Sequence, residues 1–255
     1  SNYILNHNYC LKKTIEEKFS KTMEFSKEIK VEKKINNKNK KNPLKKLRVG
    51  FISGDFFNHP VSHFIINPLT FFNDKGFESY AYSNYHINDK YTKKLKKIFS
   101  YWRDIFALSE ENIIKQIESD KIDILFDLSG YTARNSIRII KKKLSPLQIS
   151  WLGYSGTTGH SNIDFILCDK IALPKKEEQW YTEKPLRMPN SYYCYTQPFE
   201  KNIPIKQHQK DYTIFGCFNN VKKLNEDVLN AWSEILDKTK KSKLILKFHD
   251  YEDKD

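Results

Sequence analysis

Asp55, His59, His63 and Lys223 are the residues of this 255-residue sequence whose types and spacing point most directly to chemistry. Asp55 stands four residues before His59, and His63 four after it, within SGDFFNHPVSH (53–63). Pro60 suits the first position of a helix, because its missing N–H would find no helical acceptor there. The spacing predicts Asn58 or His59 as the cap of that helix, with His63 one turn inside it. A histidine beside a helix N-terminus, whose amides favour anions, can take or relay a proton near neutral pH. Asp55 can orient that ring or balance its charge; alternatively, Asp55 and His59 only cap the turn. The spacing H-x-x-x-H also suits a metal ion, but no third His or Cys ligand stands nearby in the sequence, so no metal site is predicted. Lys223 follows Asn219 and Asn220 and comes just before Asn225, Glu226 and Asp227, where a helix is expected to begin. A lysine facing a helix N-terminus makes a phosphate site. In a chain with 44 lysines and arginines, plain solvation is the competing reading.

Two further segments mix glycine with polar side chains. In DLSGYTARN (127–135), Gly130 allows a tight turn, while Ser129, Tyr131 and Thr132 offer hydroxyl donors. In WLGYSGTTGH (151–160), Gly153, Gly156 and Gly159 let backbone approach a ligand closely. The spacing is neither a Walker loop nor G-x-G-x-x-G, so each segment alone reads equally well as an ordinary surface loop. Taken with 53–63 and FNNVKK (218–223), they make a site if the fold brings them together.

The surrounding elements predict where these segments fall. Residues 1 to 31 read as helical, with Ile15, Phe19, Met23 and Phe25 on an amphipathic stretch, followed by the basic run Lys33–Lys46. From Leu47, short β-branched and aromatic runs alternate with helical stretches. LRVGFIS (47–53), FESYAYS (77–83), IDILFDL (122–128), LQISWL (147–152) and IDFILCD (163–169) read as strands, and Trp102–Leu108 as a short apolar piece. Helices are expected near 61–73, 90–99, from the Ser109 cap to Asp120, and near 135–143. This alternation predicts a doubly wound parallel sheet. Ligands bind beyond the carboxyl ends of strands in such sheets, and each polar segment follows a predicted strand directly. Residues 170 to 208 read as irregular. A second strand–helix–strand pattern follows: DYTIFGCF (211–218), a helix near 225–240, and KLILKF (243–248). One such unit cannot bury its own sheet, so the expectation is a fragment that ends early in a second domain. The predicted domains are an N-terminal helical segment and basic linker (1–46), a first Rossmann-like domain (47–200), and the beginning of a second, nucleotide-sugar-binding one (201–255).

Composition narrows the classes. Hydrophobic residues at 39% suffice for a core, which argues against wholesale disorder. No run approaches the roughly 18 apolar residues of a membrane span, so no membrane partner is expected. The four cysteines are scattered without a C-x-x-C pair, which favours a reducing cytoplasm. The net charge of +13 invites nucleic acid, yet its densest run reads as a solvated linker and no nucleic-acid-binding motif appears.

In order and approximate spacing, D-F-x-N-H-P-x-S-H, D-x-x-G-Y-T, W-L-G-Y-x-G-T-T-G and F-N-N-x-x-K resemble the catalytic region of the O-GlcNAc transferase family, its SPINDLY-type members included. The similarity runs from about 47 to 248, takes in WYTEKPLRMP (180–189), and extends to the N-terminal helix. The resemblance implies a GT-B architecture of two Rossmann-like domains, with tetratricopeptide repeats upstream in the parent chain. It implies inverting, metal-independent transfer of a sugar, GlcNAc from UDP-GlcNAc, to Ser or Thr of protein acceptors, with no cofactor beyond the donor. By motif matching, His59 falls on the active-site histidine, Asp55 on an aspartate once considered as base, and Lys223 on the lysine holding the diphosphate, with Asn220 as its amide neighbour. Pro60, His63, Tyr131, Thr132, Leu152 and Gly153 fall on the pocket lining. The sole D-x-D is Asp253-Lys254-Asp255, in a terminal tail, which gives a metal-dependent transferase no support. Val61 stands where relatives often have Thr, and Ser155 where they often have Pro. Because most of the second domain is expected to be missing, the chain alone is expected to be inactive. The alternatives are the same fold with GDP-fucose, or with UDP-glucose and an Asn acceptor, and a non-catalytic interaction scaffold.

Overall fold

The structure is a computed structural model that describes residues 2–10, 12–28, 46–197 and 211–247, apart from the side chains of 73, 74 and 222. The chain divides into two compact units, Ser1–Pro198 and Phe199–Asp255.

The first unit is built on seven parallel strands: β1 (Arg48–Ser53), β2 (Glu78–Ser83), β3 (Tyr101–Asp104), β4 (Ile124–Asp127), β5 (Leu147–Ser150), β6 (Phe165–Cys168) and β7 (Lys184–Arg187). Their order is β3-β2-β1-β4-β5-β6-β7. The chain starts at the centre, winds out to β3, then crosses back to β4 and continues the other way. Winding therefore reverses between β1 and β4, the place where open sheets of this kind leave a crevice. Ile52 pairs with Asp127 and Asp127 with Ser150, so β1, β4 and β5 end level. The segments 53–63, 127–135 and 151–160 consequently leave the same sheet edge.

Burial on both faces explains the near-continuous apolar strands. In β1 the two-residue alternation sends Val49 and Phe51 to one layer and Ile52 to the other, all buried. The first layer is closed by α3 (Pro60–Asp74) and α4 (Lys90–Ile98), through Ile65, Leu69 and Leu95. The second is closed by α5 (Glu110–Asp120), short α6 (Ile137–Ile140), and α1 (Asn2–Asn8), whose Ile4 is wholly buried. Ser109 caps α5 as expected, accepting from the Asn112 amide. Helix α2 (Ile15–Glu28) also packs on this unit. Its Phe25 meets Tyr131 edge-on at 5.7 Å, and Phe19 lies 5.7 Å from Trp180.

Two expectations need correction. The helix near 135–143 shrinks to four residues, because Lys143 turns left-handed (φ 54°) and the next amide, Leu144, donates to the buried Gln148 side chain. The stretch read as irregular contains a 3-10 turn (Lys175–Trp180) and β7, which adds a seventh strand. Its sequence, KPLR, is short, half-exposed and carries a proline, the mark of an edge strand rather than of a buried one. Of the basic run 33–46, all but Lys46 lies outside the described residues, as do 198–210 and the terminal D-x-D.

In the second unit, β8 (Thr213–Cys217) and β9 (Ser242–Leu246) pair in parallel, joined through a 3-10 turn (Val221–Lys223) and α7 (Glu226–Lys238). Ile214, Leu229, Ile235 and Ile245 each keep 41% or more of their surface exposed, as expected when one crossover covers one side of two strands.

Candidate functional site

The site begins where β1 ends. Asp55 is buried, and its carboxylate Oδ1 accepts a 2.8 Å hydrogen bond from Arg134 Nη2. Its backbone is held as well: its N–H donates to Ser53 Oγ and its carbonyl accepts from Ser62 Oγ, each at 3.0 Å. His59, rather than Asn58, caps α3. Its carbonyl accepts from the Ser62 and His63 amides, and its ring Nδ1 accepts from the Val61 amide at 3.3 Å. The Asn58 amide instead donates to Asp89. Because the exposed Pro60 has no N–H, the first-turn amides of α3 are all engaged by His59. The helix N-terminus is therefore closed by its own cap, with His59 beside it as expected.

Asp55 Oδ2 lies 3.9 Å from His59 Nδ1, too far for a hydrogen bond, so the carboxylate acts on the ring only through its field. Burial pulls the half-buried His59 below the ordinary histidine range; the nearby Asp55 charge opposes this, while Arg134 and His63 reinforce it. His63 lies against the Tyr91 ring at 4.9 Å, and burial lowers its pKa too. Its Nε2 is buried without a hydrogen-bond partner among the described residues. Among the described residues, no group of three or more His, Cys, Asp or Glu could hold a metal.

Arg134 is one residue that sequence reasoning missed. It takes a left-handed backbone (φ 56°), and its carbonyl accepts from the Asn84 carboxamide at 3.0 Å. Its guanidinium lies 5.2 Å from the Phe57 ring centre and 4.6 Å from that of Tyr85. Gly54 makes room for it, since a Cβ there would stand 2.4 Å from Arg134 Cβ. One signal could have found it: a carboxylate buried at a strand end needs a cation, and Arg134 is carried by the loop after the neighbouring strand.

The second loop is folded around Asp127, whose carboxylate accepts from the Ser129 and Gly130 amides at 3.0 Å each. Burial nevertheless raises its pKa to about 6. Tyr131 departs from the expectation of a pocket-lining hydroxyl. It is wholly buried and donates to the Thr158 carbonyl at 2.6 Å, fastening the second loop to the third because its ring belongs to the core. Thr132 is half-buried and donates to the Ser129 carbonyl at 2.8 Å. In the third loop, buried Leu152 is left-handed at φ 78°. A Cβ on Gly153 would lie 2.0 Å from the Leu128 carbonyl oxygen, so glycine is required there for loop-to-loop contact. Beneath the loop, buried Glu183 accepts from Thr157 Oγ1 at 2.7 Å, from the Thr158 amide at 2.8 Å, and from the Thr158 hydroxyl. Glu183 was also missed, because nothing in WYTEK separates a buried glutamate from a solvated one.

Thus the sheet edge gathers Asp55, His59, Pro60, His63, Tyr131, Thr132, Leu152 and Gly153 on three adjoining segments. Lys223 and Asn220 stand on the second unit, beyond the carboxyl end of β8, and both are exposed. Lys223 Nζ donates to Asn219 Oδ1 at 3.4 Å, and its amide donates to the Asn220 carbonyl at 3.0 Å. Asn225 caps α7, accepting from the Val228 amide at 3.0 Å.

A family model described as Glycosyl transferase family 41 matches residues 2–200. The "Probable UDP-N-acetylglucosamine--peptide N-acetylglucosaminyltransferase SPINDLY" of Solanum lycopersicum is 34% identical over 215 residues, covering 82% of this chain and 23% of its own length. The Arabidopsis thaliana protein of the same description named SEC is 31% identical over 215 residues, covering 80% of this chain and 22% of its own. The solved structure of a mutant Thermobaculum terrenum O-GlcNAc transferase matches with a TM-score of 0.84 at 25% identity, over 94% of this chain and 46% of that one. This supports an α/β, GT-B-like fold. The chain spans about a quarter of the length of these curated relatives.

Proposed function

Because the chain belongs to glycosyltransferase family 41, we propose that it is part of an enzyme transferring GlcNAc from UDP-GlcNAc to Ser or Thr hydroxyls of proteins, with inversion and without a metal. The observation that carries this reading is the convergence of three polar loops on the sheet edge at the β1/β4 reversal, with a half-buried histidine held among them. In the proposed reaction the acceptor oxygen attacks the anomeric carbon as the bond to the diphosphate breaks. The electron pair of that bond leaves with the diphosphate, and the hydroxyl proton passes to water, directly or relayed by His59. Lys223 compensates the departing charge electrostatically, with Asn220 beside it. His59 and Asp55 belong to the acceptor side, and Pro60, His63, Thr132, Leu152 and Gly153 to the surrounding wall.

The same reading places upstream tetratricopeptide repeats in the parent chain and a cytoplasmic location. The four cysteines, all free, are in keeping with a reducing compartment. No helix among the described residues is long and apolar enough to cross a membrane. The 255 residues alone are proposed to be inactive.

The test is transfer of radiolabelled GlcNAc from UDP-GlcNAc to a protein acceptor by the parent enzyme in EDTA, with the product linkage read by NMR. A β-linked Ser/Thr product formed in EDTA supports the proposal. Transfer only from GDP-fucose, transfer of glucose to Asn, or loss of activity on chelation would overturn it.

A further inference from the structure

We propose that Arg134 is a positioning residue for His59: it holds the Asp55 carboxylate off the imidazole, so that Nδ1 keeps its lone pair for the Val61 amide and the ring carries its proton on Nε2. The inference rests first on which atoms are engaged. A neutral imidazole has one N–H and one lone pair, and here Nδ1 accepts from Val61, which leaves the proton to Nε2. A carboxylate able to reach Nδ1 would instead draw the proton to that nitrogen. Asp55 is the candidate, and it stops at 3.9 Å because Arg134 binds its other oxygen at 2.8 Å.

The second support is how firmly Arg134 is placed. Its backbone occupies the left-handed region, unfavourable for any residue with a Cβ, and neighbours on two segments, after β1 and after β2, hold it there. Asn84, after β2, donates from one carboxamide to the Arg134 carbonyl at 3.0 Å and to Ser136 Oγ at 3.3 Å. Tyr85 and Phe57 flank the guanidinium. Gly54 yields the space beneath. The charged and titratable groups around His59 are Asp55 on its own loop, Arg134 from the loop after β4, and His63 on α3. Asp89, before α4, is turned to the Asn58, Tyr91 and Thr92 amides.

The consequence deepens the transferase reading, on which its catalytic meaning rests. At neutral pH, His59 meets a ligand oxygen as an Nε2–H donor. Accepting a proton at Nδ1 first requires the Val61 hydrogen bond to break.

The test needs no turnover, so its failure is separable from failure of the transferase reading. In this chain labelled with ¹⁵N-histidine, long-range ¹H–¹⁵N spectra report the tautomer and titration of each imidazole, and His59→Gln assigns the signal. Wild type should show the Nε2–H tautomer and a midpoint below the ordinary value of about 6.5. Arg134→Met should raise that midpoint by about one unit, as the freed carboxylate favours imidazolium. Asp55→Asn, with Arg134 left unopposed, should lower it. A wild-type ring protonated on Nδ1, or an Arg134→Met midpoint unmoved in a protein of unchanged melting, overturns the proposal. If Arg134→Met does not fold, Asp55→Asn decides: a midpoint that fails to fall overturns it.

Discussion

The loops at the β1/β4 reversal and the turn after β8 are both strand-end segments rich in polar residues, yet they are built in opposite ways. In the first, Asp55, Asp127, Tyr131 and Glu183 are buried, and each is matched by a partner from another loop or by amides of its own turn. In the second, Lys223 is exposed, and among the described residues its ammonium has a single 3.4 Å hydrogen bond, to a residue four positions away. A buried polar group without a partner costs free energy, so the first region must be organised as the protein folds. An exposed lysine has no such requirement. The first region should therefore show its defects as lost stability, and the second as lost function.

The sharpest way to break that contrast is Lys223→Ala in the parent enzyme. Under the proposed function it should lower kcat by about 10²-fold or more, roughly 3 kcal/mol of transition-state stabilisation, with melting unchanged. Lys238→Ala, a comparably exposed lysine on α7, should transfer sugar like wild type in the same radiolabel assay. Equal activity of the two variants would remove the diphosphate role.

Next come two buried titrations of opposite sign. The folded pKa of Asp127 is raised to about 6, so between about 4 and 6 the native state binds more protons than the unfolded one. Its contribution therefore grows as pH falls and is lost as pH rises through 6. Burial lowers His160 to about 4, with Lys141 adding to the effect, so in nearly the same window the unfolded state binds more protons and stability falls with acid. Each amounts to roughly 3 kcal/mol, and together they nearly cancel. Urea unfolding of Asp127→Asn between pH 7 and 4.5 should show a steeper acid loss than wild type, and His160→Gln a shallower one. Parallel curves for all three proteins would mean that the groups titrate normally.

Two glycine substitutions then compare the regions directly. Gly153→Ala drives a Cβ to 2.0 Å from the Leu128 carbonyl oxygen, a backbone atom that cannot swing aside, and should destabilise by about 2 kcal/mol or more in urea. Gly216→Ala in β8 meets only the Phe218 ring at 3.5 Å and should change stability by about 0.5 kcal/mol at most. Equal losses would mean that the second unit is packed as tightly as the first.

Much of this protein is legible from sequence. Short β-branched and aromatic runs located β1, β2, β4, β5 and β6, Ser109 marked the start of α5, and His59-Pro60 marked that of α3. Each of these signals is local: an apolar run, a cap, or a residue without an N–H. Since a strand end followed by a polar turn is also local, the segments holding the candidate site could be read as well. Tertiary structure alone decided the partners. Asp55 meets Arg134 across 79 residues and Thr158 meets Glu183 across 25, pairings created by the crossing back of the chain at β1/β4 and by the addition of β7. It likewise turned Tyr131 from a donor offered to a ligand into a buried strut, and gave Arg134 a left-handed backbone that its residue type disfavours. Residue type and neighbours along the chain state what a side chain can do. Which hydrogen bonds it makes depends on the groups that the fold brings within about 3 Å, and no local pattern records them.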